Sequence, residues 1–180
     1  MDTPILHTPR LILRAPIEAD LDGFAELAAD EDVARFLGGI QGRAVAWRNM
    51  AGLAGAWVLR GHSMFSVIER DSGRWIGRVG PHFPEGWPGP EVGWALLSSA
   101  WGRGYASEAA SACLDWVFDH LGWSEVIHCI AGDNERSKAV AARLGSHYLR
   151  QGRLPPPIDI ELEIWGQSRE DWRGRTKAQL

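Results

Sequence analysis

Trp101-Gly102-Arg103-Gly104-Tyr105-Ala106-Ser107-Glu108-Ala109 is a glycine-rich turn that follows a strand-like segment, Glu91 to Leu97, and runs straight into an apolar-periodic helix. Without a Cβ at Gly102 and Gly104 the backbone can turn tightly and approach a ligand closely. The first turn of the helix that follows has N–H groups without intrahelical acceptors, and the helix dipole adds partial positive charge there. The stretch is therefore a candidate anion cradle. A Walker loop would need G-x-x-x-x-G-K-[ST], and no such run exists in the chain. A dinucleotide fingerprint would need a third glycine where Ser107 stands.

Downstream of the turn, Ala106, Ala109, Ala110, Cys113, Leu114, Val117 and Leu121 recur at helical spacing, and Gly122 supplies a stop. Glu125 to Ala131 predicts a strand covered on both faces. Asp133-Asn134 offers an N-cap for a helix over Arg136 to Leu144, which Gly145 ends. Tyr148 to Arg150 and Ile158 to Trp165, on either side of Pro155-Pro156-Pro157, predict two final strands. Upstream, the pattern predicts a strand over Thr8 to Arg14, helices over Glu18 to Ala29 and Arg43 to Leu59, and strands over Ser63 to Arg70 and Trp75 to Phe83. Asp71-Ser72-Gly73 joins those two strands with hairpin chemistry. In Glu91 to Leu97, Glu91, Gly93 and Ala95 share one face and Val92, Trp94 and Leu96 the other. The order β, α, α, three strands, α, β, α, β, β belongs to α/β or α+β architecture with a mixed sheet.

A chain of 180 residues suits one domain with a substantial core. Its net charge of −4 argues against nucleic-acid backbone as the main partner. Met1-Asp2-Thr3-Pro4 has no basic region followed by an apolar run, and no stretch reaches membrane-spanning length, so a cytoplasmic protein with no membrane partner is expected. Cys113 and Cys129 lack CxxC spacing, and the six histidines form no ligand pair, so no metal site is expected. Most of the ten tryptophans should fill the core or line a cleft.

These residues together resemble the GNAT (general N-acetyltransferase) superfamily, and most closely its ribosomal-protein N-terminal acetyltransferase-like branch. The similarity begins at Thr8 to Arg14, continues through Glu91-Val92-Gly93-Trp94, peaks at Trp101 to Ala109 and includes Asn134-Glu135-Arg136-Ser137. It implies a single domain over 1–180, with a core of about 8–172. The implied fold has a mixed, mostly antiparallel sheet of about six to seven strands, helices on both faces, and two strands splayed at the cofactor. The superfamily's acyl-CoA signature, Q/R-x-x-G-x-G/A, falls on Trp101, Gly102, Arg103, Gly104, Tyr105 and Ala106. Trp101 departs from Gln/Arg, as an aromatic residue does in this branch. The implied co-substrate is acetyl-CoA. Its pyrophosphate would be held by N–H groups from Gly102 to Ser107, with charge from Arg103 and pantetheine paired to main chain near Leu96 and Leu97.

Acetyl transfer to an amine requires a neutral nitrogen, oxyanion stabilisation and a proton for the leaving thiolate. A lysine-like amine costs about 4 to 5 kcal/mol to deprotonate at neutral pH, an α-amine only about 1 kcal/mol. Glu91 reads either as a general base, direct or through water, or as a solvated strand-end carboxylate. Asn134 and Ser137 suit helix capping; the resemblance adds that Asn134 binds pantetheine and Ser137 approaches the sulfur as donor or proton source. The two roles can coexist. Tyr148 is a second candidate acid, although Gly145-Ser146-His147-Tyr148 lacks the family's Gly-Phe pattern, and His147 reads as structural. The acceptor is expected to be a protein N-terminal α-amine or a small-molecule amine. It would be selected by the first two helices, the Pro84 to Pro90 loop and the last strand pair, with Trp47, Trp57, Trp87 and Trp94 as cleft or core residues. The acidic run Asp30-Glu31-Asp32 reads as a solvated face or an attraction for a cation. A non-catalytic acyl-CoA-binding module and a CoA-independent interaction domain stand as alternative functions. Exposed late strands would allow a homodimer.

Overall fold

The computed structural model describes residues 3–156 and 158–175. Met1, Asp2 and Pro157 of the triple-proline break lie outside the described residues. In chain order the elements are β1 (Leu6–His7), β2 (Leu11–Arg14), α1 (Leu21–Ala29), α2 (Glu31–Ala34), α3 (Arg43–Arg60), β3 (Phe65–Glu69), β4 (Trp75–His82) and β5 (Glu91–Leu96). They continue as α4 (Tyr105–His120), β6 (Glu125–Ile130), α5 (Glu135–Arg143), β7 (His147–Arg153), β8 (Glu161–Ser168) and α6 (Arg169–Gly174). The strands form one eight-stranded sheet in the order β1-β2-β3-β4-β5-β6-β8-β7. Every neighbouring pair is antiparallel except β5 with β6.

The strand beyond the expected six to seven is β1, a two-residue piece paired Leu6 to Leu13 and His7 to Ile12. It is too short to carry a period of its own. The short helices α2 and α6 also escape the periodicity reading, because four to six residues span little more than one turn. α6 does carry a start signal: Ser168 and Asp171 form a reciprocal capping box.

The two faces of β5 divide the core. Val92 and Leu96 pack with Leu11, Leu13, Val79 and the α4 residues Ala109, Cys113 and Val117. Ala95 faces the other way, into a cluster with Phe24 and Leu27 of α1 and Met50 and Leu53 of α3. Helices therefore cover both faces, α4 on one and α1 with α3 on the other. Burial of these side chains, at about 25 cal/mol per Å² of apolar surface, holds the layers together. The β3–β4 turn closes as its composition predicts, with Gly73 at φ 69° and its N–H donating to the Glu69 carbonyl at 2.9 Å. No described helix is long and apolar enough to cross a membrane.

Candidate active site

A cleft of about 2500 Å³ opens where β5 and β6 part. Their parallel pairing has a single register pair, Glu91 with Ile127, next to the Ile127 N–H bond to the Pro90 carbonyl at 2.9 Å. A continuing parallel ladder would pair the Cys129 N–H with the Val92 carbonyl. Two side chains take those groups instead. Glu91 Oε1 accepts from the Cys129 N–H at 3.0 Å, and His128 Nδ1 reaches the Val92 carbonyl at 2.6 Å. The strands can diverge without orphaning either main-chain group, which in a buried setting would cost about 1 to 3 kcal/mol each.

The bond to a carbonyl requires His128 Nδ1 to carry the proton, so Nε2 accepts from the Ser146 hydroxyl at 2.8 Å. Gln167 Nε2 donates in turn to Ser146 Oγ at 2.9 Å. Burial lowers the His128 pKa to about 4, so this chain of bonds holds a neutral ring. The same ring packs on Trp94 at 4.8 Å between centroids, and the Trp94 indole N–H donates to Ser137 Oγ at 3.2 Å. Ser137 lies in the first turn of α5, where its N–H donates to the Asn134 side chain at 3.1 Å. Its hydroxyl accepts from Trp94 and keeps its own proton to donate.

At the α4 end, Gly102 and Gly104 hold φ of 74° and 79°, left-handed values that strain any residue with a Cβ. The first helical bond runs from Glu108 N–H to the Gly104 carbonyl, so the N–H groups of Tyr105, Ala106 and Ser107 have no intrahelical acceptor. Gly102, Gly104 and all three of these residues line the cleft. Arg136 and Arg143 of α5 line it as well: Arg136 stacks on Trp101 at 4.5 Å, and Arg143 donates to Ser107 Oγ at 3.2 Å. Neither arginine has a carboxylate partner among the described residues. Unsatisfied N–H groups, helix dipole and two arginines fit a pyrophosphate group. Trp101 also donates its indole N–H to the Leu96 carbonyl at 2.9 Å, tying the turn to the end of β5.

On the opposite side of β5, Glu91 is 6% exposed yet borders the cleft. Its Oε2 accepts from the Trp87 indole at 2.6 Å, and the His82 ring meets Trp87 edge-on at 4.8 Å. Burial raises the carboxyl pKa of Glu91, opposed by the donors from Cys129 and Trp87 and by the positive charge of Arg78. Burial also lowers the His82 pKa to about 4.

The structure thus brings Glu91, Asn134, Ser137, Leu96, Trp101, Gly102, Gly104, Tyr105, Ala106 and Ser107 to one cleft. It directs three other expected residues elsewhere. Arg103 turns away from the cradle and pairs with Glu69 at 2.9 Å, where with Arg10 it flanks the Tyr105 ring. Leu97 is 1% exposed in the α1–α3 core, its N–H committed to the Ile76 carbonyl. Tyr148 lies on the edge strand β7 with its ring against Trp165, outside the cleft lining, because register sets it opposite that residue. Trp87 and Trp94 line the cleft, Trp57 is core, and Trp47 is exposed. Asp30 does not act as part of a free acidic run: its carboxylate accepts from the Ser98 N–H at 2.8 Å.

Sequence reading overlooked Arg136, Arg143, His128 and Arg78. Two arginines seven residues apart on one helix share a face, which is a usable signal. His128 carried a weaker one, as a titratable residue inside an otherwise apolar strand. Nothing local distinguishes Arg78.

The chain matches the model of the acetyltransferase (GNAT) domain over residues 10–147. The YkkB protein of Bacillus subtilis (strain 168) is 31% identical over 153 residues, covering 79% of this chain and 85% of that protein. An acetyltransferase from Agrobacterium tumefaciens str. C58 superposes with a TM-score of 0.81 at 29% identity, covering 94% of this chain and 96% of that one. The ribosomal L7/L12 α-N-protein acetyltransferase RimL, solved in complex with coenzyme A, shares the fold at a TM-score of 0.75 and 16% identity, covering 92% and 98% of the two chains.

Proposed function

Since the chain belongs to the GNAT family of acetyltransferases, we propose that its cleft serves transfer of the acetyl group of acetyl-CoA to the nitrogen of a primary amine, a protein N-terminal α-amine or a small molecule. One observation carries this reading: the gap held open by Glu91 and His128 has helix N–H groups without intrahelical acceptors at one end and a buried carboxylate at the other. When bound, acetyl-CoA supplies an acetyl group activated as a thioester.

In this reading the N–H groups from Gly102 to Ser107, with Arg136 and Arg143, hold the pyrophosphate. Main chain at the end of β5 and the Asn134 side chain orient pantetheine. Glu91 takes a proton from the acceptor ammonium, directly or through water. Its raised pKa suits that work, since a base is most effective when its pKa lies near the working pH. Ser137, with a hydroxyl proton free to donate, stands at the sulfur. Tyr148 has no part, because its ring is engaged at the sheet edge.

A thiol-release assay with acetyl-CoA against a panel of amines and N-terminal peptides tests the reading. Turnover of at least one amine is expected. CoA at a hundred times its dissociation constant should stabilise the fold by about 2.7 kcal/mol. Stabilisation without turnover would leave only an acyl-CoA-binding module, and no stabilisation would remove the cofactor as well.

A further inference from the structure

Arg78 lines the cleft on β4, paired in register with Ala95 of β5, and so projects from the same face of the sheet as Glu91, Gly93 and Ala95. It is half-buried, and its guanidinium has five donors in a rigid fork. Among the described residues it makes one hydrogen bond, from Nη1 to the Met64 sulfur at 2.9 Å, a weak acceptor. No described carboxylate oxygen lies within 4.0 Å of it, although twelve such ion pairs occur elsewhere in the described chain.

Desolvating a permanent cation without a partner is costly, so an arginine left in this state awaits an anion. The carboxylate on the same sheet face is Glu91, and its oxygens accept from Trp87 and Cys129 rather than from Arg78. A Cβ at Gly93 would stand 2.8 Å from the Met64 methyl and 3.3 Å from Glu91 Oε1, which sets the thioether on the Glu91 side of the sheet while its sulfur takes the Arg78 bond. The cleft therefore presents a guanidinium and a carboxylate from one face of the sheet that are not paired with each other. Gly52 and Gly55 of α3 also line the cleft, and an added Cβ at either would meet nothing within 4 Å.

We propose that the acetyl acceptor is a free amino acid, whose carboxylate is received by Arg78 while its amine is delivered to Glu91. This rests on the acetyltransferase reading above and narrows its acceptor. The ammonium gives its first proton to Glu91, the neutral nitrogen forms the N–C(acyl) bond as the C–S bond breaks, and the second proton the nitrogen sheds ends on the sulfur, which leaves as the thiol. The product is an N-acetyl amino acid.

The test compares kcat/KM for a set of amino acids with that for the primary amide and the decarboxylated amine of each. An amide's amine is less basic and more readily deprotonated, so chemistry alone favours the amide. The acids are nevertheless expected to win by about tenfold or more, the worth of a charge-assisted hydrogen bond. In Arg78→Met, KM for the acids should rise by about that factor relative to KM for the amides, since any effect of the lost charge on Glu91 falls on both alike, and Arg78→Lys should restore part of the preference. Calorimetry with CoA present should show N-acetyl amino acids binding more tightly than their amides to the wild type only. Amides or peptide N-termini turned over as well as the acids would overturn the inference and leave the acetyltransferase reading standing. Silence of every amine would overturn both. Should Arg78→Met fail to fold, the wild-type acid-to-amide ratio decides by itself.

Discussion

The two ends of the cleft recognise by different means. At the α4 end most of the groups on offer are main-chain N–H groups from one continuous stretch, Gly102 to Ser107, shaped by two left-handed glycines, with Arg136 and Arg143 of α5 beside them. At the Glu91 end they are side chains from separate segments: Arg78 of β4, Trp87 of a loop and Glu91 of β5. A main-chain site depends on local geometry and tolerates change in most of its side chains. A side-chain site depends on register and packing, and each member is individually exposed to mutation. That division suits an enzyme that keeps one donor while its relatives differ in acceptor.

The largest effect should come from Glu91→Gln. Loss of a general base lowers kcat/KM by about 10² to 10⁴, while CoA affinity, which belongs to the other end, should hold within about twofold of the wild type. Wild-type activity should fall as pH drops through the raised Glu91 pKa, and the residual activity of the variant should lack that limb. Because the folded pKa is raised, the stability Glu91 contributes is present below its unfolded value and lost as pH rises through the folded one. The stability gap between wild type and variant should shift accordingly in unfolding titrations. A variant as active as the wild type would remove Glu91 from the chemistry.

His128 sits between the ends and should show in stability before activity. Its pKa is lowered from 6.5 to about 4, so the folded state binds fewer protons than the unfolded one in that range. The contribution is present above 6.5 and is lost as pH falls through about 4, on the order of 3 kcal/mol in all. Denaturant unfolding at a series of pH values should give a shallower acid slope for His128→Gln. Equal slopes would mean that the ring does not stay neutral.

Gly104→Ala is a change confined to the α4 end. At φ 79° an added Cβ costs about 1 to 2 kcal/mol, seen as a lower melting temperature and weaker CoA binding, with amine KM little altered. If KM for the amine moves as much as CoA affinity, the two ends are coupled and the contrast above is too sharp. Smallest of all should be Tyr148→Phe. With the ring at the sheet edge against Trp165, kcat is expected to stay within about twofold, and a large fall would restore the tyrosine as an acid.

The sequence by itself determined the strand–turn–helix unit at Glu91 to His120, the two-faced pattern of β5, the hairpin at Gly73 and the Asn134 cap, because each depends on neighbours a few residues apart. It also placed Glu91 and Ser137 among the candidates. Only the tertiary structure decided that Glu91 and His128 replace the β5–β6 ladder and so hold the cleft open. It also decided that Arg103 serves Glu69 while Arg136 and Arg143 face the cradle, and that Tyr148 is at an edge and Arg78 in the cleft. The reason is physical: a hydrogen-bonded turn or cap forms within a short span of chain, whereas the partner of a long side chain is set by strand register and helix packing between residues tens of positions apart.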